Sequence, residues 1–136
     1  MGMTLQLAKA MIEAAIDKAD ADYAQPICVS VCDTAGLLTA FNRVEGVPVR
    51  CVHLSQAKAY TAAVMGVDTD AFLERLQREN LSLANFCDPK MTALPGGVAV
   101  RNAAGGVIGG LGISGMKAEE DAAVARAAVE IARTFA

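Results

Sequence analysis

The stretch that decides the fold is ICVSVCDTAGLLTAFNR, residues 27–43. Ile27, Val29 and Val31 alternate along an extended run that meets Asp33-Thr34-Ala35-Gly36, and a second run follows from Leu37 to Arg43. Asp at the first turn position and Gly at the fourth suit a type I turn, so the segment predicts a β-hairpin. The design returns at VAVRNAAGGVIGGLGI, residues 98–113, with Asn102-Ala103-Ala104-Gly105 as the turn. Both copies read Val-x-Val-x-(Asp or Asn)-x-Ala-Gly. Shared turn chemistry accounts for that match without an internal repeat.

Helical stretches surround the two hairpins. Leu5, Ala8, Ile12, Ala15, Ile16 and Ala19 recur at helical spacing between Thr4 and Tyr23, with Thr4 as N-cap. Cys51 to Met65 predicts a second helix ending at Gly66. Asp68 or Thr69 can cap a third, residues 70–78, and Pro89 and Pro95 keep residues 80–96 irregular. A last helix is expected from Ala118 to Phe135, its apolar face formed by Val124, Ala127, Ala128, Ile131 and Phe135. Glu119, Glu120 and Asp121 crowd its first turn, where the helix dipole favours acids. The order predicts one α/β (α+β) domain, residues 1–136, with helices covering an antiparallel sheet.

Composition narrows the function. The 136 residues are 54% hydrophobic with few aromatics, so alanine-rich helices present apolar faces that favour a homo-oligomer. The net charge of −3 and the lack of any Lys/Arg block give nucleic-acid binding no electrostatic support. Lys9, Glu13, Asp17, Lys18, Asp20 and Asp22 break any apolar signal segment. The longest uncharged stretch, Asn102 to Met116, is too short to span a bilayer, so a cytoplasmic protein without membrane partners is expected. There Cys28, Cys32, Cys51 and Cys87 should be free thiols, and a Cys28–Cys32 disulfide or shared metal is excluded by strand geometry. Cys51 sits at a helix start, a place that can lower a thiol pKa.

Gly110-Leu111-Gly112-Ile113-Ser114-Gly115 matches the dinucleotide-binding pattern literally. That reading needs a further parallel strand after the helix and an acid about 20 residues on, which residues 116–136 do not accommodate. The glycines instead suit close packing of a helix or subunit on a sheet, or the close approach of a flat ligand. His53 is the only histidine, so two- or three-histidine metal sites are excluded. On a helix it shares a stripe with Ala57 and Tyr60, while Cys51, Ser55 and Lys58 share a neighbouring one. His53 reads as a surface or capping residue, or else as an axial iron ligand or acid/base group. Lys58, alone in a mostly apolar stretch, either snorkels to water or meets an anion. Arg43, Arg50 and Arg101 lie near element ends and could meet carboxylates.

Four blocks together resemble the GlcG/HbpS-like family. They are the hairpin Val31-Cys32-Asp33-Thr34-Ala35-Gly36 with Phe41-Asn42-Arg43-Val44-Glu45-Gly46, the helix Gln56 to Ala63, the strand Gly96 to Val100, and Gly109 to Gly115 followed by Asp121. The resemblance implies a profilin-like three-layer α/β/α sandwich whose antiparallel sheet has four or five strands. It implies a small-molecule-binding protein, with haem or a related tetrapyrrole as the named cofactor. Relatives include the C-terminal part of PduO-type corrinoid adenosyltransferases, whose ATP-binding activity has no counterpart in these motifs. The expected pocket lies between the start of the second helix and Gly96-Gly97. In it His53 would be the iron ligand, and Lys58 and Arg50 would meet propionates. The alternatives are a small enzyme on a carboxylate or hydroxy acid, with Lys58 holding the acid and His53 or Glu45 moving a proton, and an accessory protein of a glycolate or diol pathway.

Overall fold

Four strands form the sheet in the computed structural model, which describes residues 2–135: Cys28–Asp33 (β1), Leu38–Arg43 (β2), Gly97–Arg101 (β3) and Val107–Ser114 (β4). The order is β2-β1-β4-β3, and every neighbouring pair is antiparallel. The two expected hairpins therefore meet along β1 and β4, Cys28 opposite Ser114 and Val31 opposite Leu111.

The hairpin turns are built alike. Asp33 Oδ1 accepts from the N–H groups of Ala35 (2.9 Å) and Leu37 (3.0 Å). Asn102 Oδ1 does the same for Ala104 (3.1 Å) and Gly106 (3.0 Å). The left-handed backbone each turn requires falls on Gly36 (φ 79°) and Gly105 (φ 88°). Each returning strand then bulges by one residue, Thr39 in the first and Ile108 in the second.

Helices Leu5–Tyr23 (α1), Arg50–Met65 (α2), Thr69–Arg78 (α3) and Ala118–Val129 (α4) complete the three-layer α/β/α sandwich. Thr4 caps α1 through the Leu7 N–H, and Gly66 ends α2 in the left-handed conformation. Asp68 stands at the N-cap of α3, but its carboxylate accepts the Ala99 N–H, tying α3 to edge strand β3. Arg101 donates to the carbonyls of Gly105 (3.1 Å) and Gly66 (3.1 Å), so it is committed to the α2 C-terminus rather than to a ligand. Three details depart from expectation. Leu5 is 52% exposed, and Leu7 and Met11 are buried instead. Ala127 faces solvent while Ala125 enters the core. The last helix tightens after Val129 into a 3-10 turn, Glu130–Arg133, as helix ends commonly do.

The two faces of the sheet differ in size. Val29, Val31, Val98, Val100, Leu111 and Ile113 point toward α1 and α4 and close the main core with Leu7, Met11, Ile12 and Val124. The other face presents Cys28, Ser30, Cys32, Gly110 and Gly112, with Gly97 and Ala99 on β3. Helix α2 lies directly on this low floor. A Cβ on Gly110 would come within 2.1 Å of the Ala59 carbonyl oxygen, and one on Gly112 within 2.1 Å of that of Ser55. Ser30 and Ser55 share a 2.9 Å hydrogen bond inside the contact, so neither hydroxyl is stranded there. Helix-on-sheet packing is thus what these glycines serve.

The backbone of α2 cannot retreat from a methyl group without lifting the whole helix. Gly112→Ala is expected to destabilise the fold by on the order of 3 kcal/mol. Gly2→Ala, with nothing within 4 Å of its would-be Cβ, is expected to be neutral. Denaturant midpoints of the two variants against wild type provide the check, and equal midpoints would show that α2 is not seated as described.

Candidate functional site

Because α2 is held flat against the sheet, its flanks form the walls of two clefts. Along one flank His53, Gln56, Ala57 and Tyr60 face Gly36 and Leu38 of the first hairpin and Pro89 and Lys90 of the irregular segment. This cleft has a volume of about 340 Å³ and mostly apolar walls. Tyr60 organises it. Its ring lies over Gly36, where a Cβ would come within 2.5 Å of a ring carbon. Its hydroxyl donates to Asp88 Oδ2 at 2.5 Å, and the Lys90 ammonium stands 5.5 Å from the ring centroid. That hydrogen bond raises the Tyr60 pKa and lowers that of Asp88. Thr61 accepts the Thr92 N–H at 2.9 Å and so fixes the irregular segment against α2. His53 is exposed on the wall of the cleft.

Along the opposite flank Arg50, Cys51, Leu54 and Lys58 border a smaller cleft of about 180 Å³, closed by Ser114, Met116 and Asp121. Lys58 is only 3% exposed. Its Nζ donates to the Ile113 carbonyl at 2.8 Å and to Asp121 Oδ2 at 3.2 Å. Asp121 Oδ1 accepts the Met116 N–H at 3.1 Å. Burial pushes the Asp121 carboxyl up to about 6, with the Lys58 charge pulling the other way. Gly96, at φ 123°, leaves room for the ammonium, since a Cβ there would lie 2.8 Å from Nζ. A Cβ on Gly97 would come within 2.3 Å of the Lys58 carbonyl oxygen.

The residues expected to share one pocket are therefore divided. Arg50 and Lys58 meet in the small cleft and His53 stands in the large one, with the width of α2 between them. Gly96 and Gly97 line neither cleft, and their bare backbone accommodates Lys58. Glu45 lines neither cleft either. Cys51 is buried with Cys28 and Val47, and Cys32 is buried apart from them beside Ala59 and Ala63. Burial raises the pKa of both strand thiols, that of Cys32 to about 11. Among the described residues no three His, Cys, Asp or Glu side chains gather as a metal site, and no helix is long and apolar enough to cross a membrane.

The sequence reading missed Asp121 and Ser114 as site residues. Asp121 was available in the motif of the fourth block, but three consecutive acids at a helix start pointed equally to the dipole.

An antiparallel sheet with one helix sunk into a glycine floor, and helices packed on its other face, defines an α+β sandwich class of domain. The model of the family described as haem degrading protein HbpS-like matches residues 3–130, and the chain belongs to this family. It is 33% identical over 112 residues to protein GlcG of Escherichia coli K12, covering 82% of this chain and 81% of that one. Among solved structures it is similar to a double mutant of Streptomyces reticuli HbpS, with a TM-score of 0.86 and 26% identity over 96% of this chain and 87% of that one. The PduOC:heme complex matches with a TM-score of 0.85 and 27% identity, over 96% of this chain and 94% of that one.

Two outcomes follow from the buried pair. Lys58→Met strands a carboxyl group in the interior and should cost about 3 kcal/mol in chemical denaturation, part of which Lys58→Met with Asp121→Asn should restore. The pH dependence has a definite sign. A folded-state pKa of about 6 against an ordinary 3.8 means that the folded chain binds more protons between those values. The group's stabilising contribution is complete below the lower value and is lost as pH rises through the upper one. Melting curves of wild type should therefore lose ground to those of Asp121→Asn between about pH 4 and pH 6, and a wild type that gains on the variant as pH rises through that range would contradict the assignment.

Proposed function

We propose that this protein binds a flat, largely apolar small molecule in the cleft between α2 and the first hairpin, with haem or a related tetrapyrrole as the ligand class. The observation that carries this reading is the position of His53, the only histidine, exposed on the wall of a mostly apolar cleft of about 340 Å³. A neutral imidazole offers one ring nitrogen to iron. Leu38, Ala57 and Pro89 offer apolar contact, and Tyr60 offers the edge or face of a ring. Lys90 supplies a cation for ligand carboxylates at the same cleft, the part that the sequence suggested for Arg50 and Lys58. No protein-only metal cluster accompanies His53 among the described residues, so the donor set suits iron carried by a macrocycle. A bound haem would supply a redox-active, Lewis-acidic iron, while the chain supplies the imidazole, the wall and the cation.

Membership of the family and the likeness to the PduOC:heme complex support the same ligand class. A cytoplasmic homo-oligomer belongs to this reading. Leu37 (67% exposed), Leu38 (51%) and Val64 (40%) gather around the mouth of the cleft, where a second copy would shield them.

Hemin titrated into the protein should give a saturable Soret shift. His53→Ala should weaken binding by at least about tenfold, and Lys90→Ala by a smaller factor. An unchanged titration with His53→Ala would remove the iron-ligand assignment, and the absence of saturable binding would remove the ligand class.

A further inference from the structure

Ser114 ends β4 on the face covered by α2 and is only 4% exposed, yet its hydroxyl has no hydrogen-bond partner among the described residues. No fully enclosed side-chain polar atom among those residues lacks a partner. The Ser114 Oγ therefore opens onto the cleft of about 180 Å³ that this residue lines. Lys58 lines the same cleft, and an ammonium has three N–H donors. Two are directed to Ile113 and Asp121, which leaves one uncommitted. Arg50 stands at the rim with no hydrogen bond or ion pair to any described residue.

We propose that this small cleft is a second binding site, for a small monocarboxylate held by Lys58 and Arg50 and hydrogen-bonded by Ser114. The charge sum selects the class. Two cations against the single carboxylate of Asp121 leave one positive charge, which a monoanion neutralises. A planar carboxylate offers two oxygens, one for the spare Lys58 N–H with the Ser114 hydroxyl and one for the Arg50 fork. The cleft is about half the volume of the one beside His53, at 180 against 340 Å³, and so suits a ligand of a few heavy atoms. This site goes beyond the tetrapyrrole reading and does not depend on it, because α2 separates the two clefts and they share no lining residue.

Lactate is the probe, followed in the full chain by amide chemical shifts, with neutral lactamide as the control. Lactate should give saturable shifts at Leu54, Ser114, Gly115 and Met116, while His53 and Lys90 stay in place. Lactamide should give none. Arg50→Ala and Ser114→Ala leave the Lys58–Asp121 pair intact and should melt like wild type, yet each should weaken lactate binding by about tenfold. The proposal is overturned if lactamide reproduces the shifts, if both variants bind lactate as wild type does, if the shifts fall around His53 instead, or if no saturable response appears up to about 50 mM. Hemin binding should be untouched in Ser114→Ala, so failure at either cleft is read separately from the other.

Discussion

The approach of α2 to a sheet face stripped of side chains is the constraint on which the rest of the molecule depends. Backbone oxygens of Ser55, Lys58 and Ala59 occupy the space that β-carbons on Gly112, Gly97 and Gly110 would fill. At that distance the interface has no room for a conventional apolar layer. Its cohesion comes from many short van der Waals contacts, from alanines on the helix, and from a few fully satisfied polar groups. The opposite face is an ordinary core of Val, Leu and Ile against α1 and α4. One sheet thus serves two kinds of packing, and on the crowded face a helix seated so low exposes both flanks, which wall the two clefts beside α2.

The buried Lys58–Asp121 pair follows from the same geometry. Helix α2 lies on one side of the sheet and α4 on the other, and the pair joins them past the end of β4, where Gly96 makes way for the ammonium. Removing two charges from water is costly, and the pair recovers that cost only through its further bonds to the Ile113 carbonyl and the Met116 N–H. Such an arrangement is better suited to fixing register between layers than to adding stability. It also leaves a charged, partly uncommitted group at the foot of a small cleft, where structure and binding chemistry use the same atoms.

Much of the fold was legible in the chain. The hairpins were visible because Asx-turn chemistry is local: Asp33 and Asn102 bond backbone groups two and four residues ahead, and Gly36 and Gly105 supply the left-handed position. Thr4 and Gly66 marked helix ends for equally local reasons. Periodicity misplaced Leu5 and Ala127, since which apolar residue turns inward depends on the tilt of a helix against its neighbours. The His53, Ala57 and Tyr60 stripe was also legible, and all three line one cleft.

By itself, then, the sequence determined the antiparallel hairpins and flanking helices of an α+β class, the turn geometry and the roster of polar residues on α2, because these depend on neighbours within a few positions. The three-layer sandwich was implied by the family resemblance. Only the tertiary structure decided that His53 and Lys58 line different clefts, that Asp121 reaches 63 positions back to Lys58 and is more than a dipole partner, and that the Ser114 hydroxyl has no hydrogen-bond partner among the described residues. Those outcomes depend on how deeply α2 sinks into the glycine floor and on which chain segments meet there, and no local pattern encodes that depth.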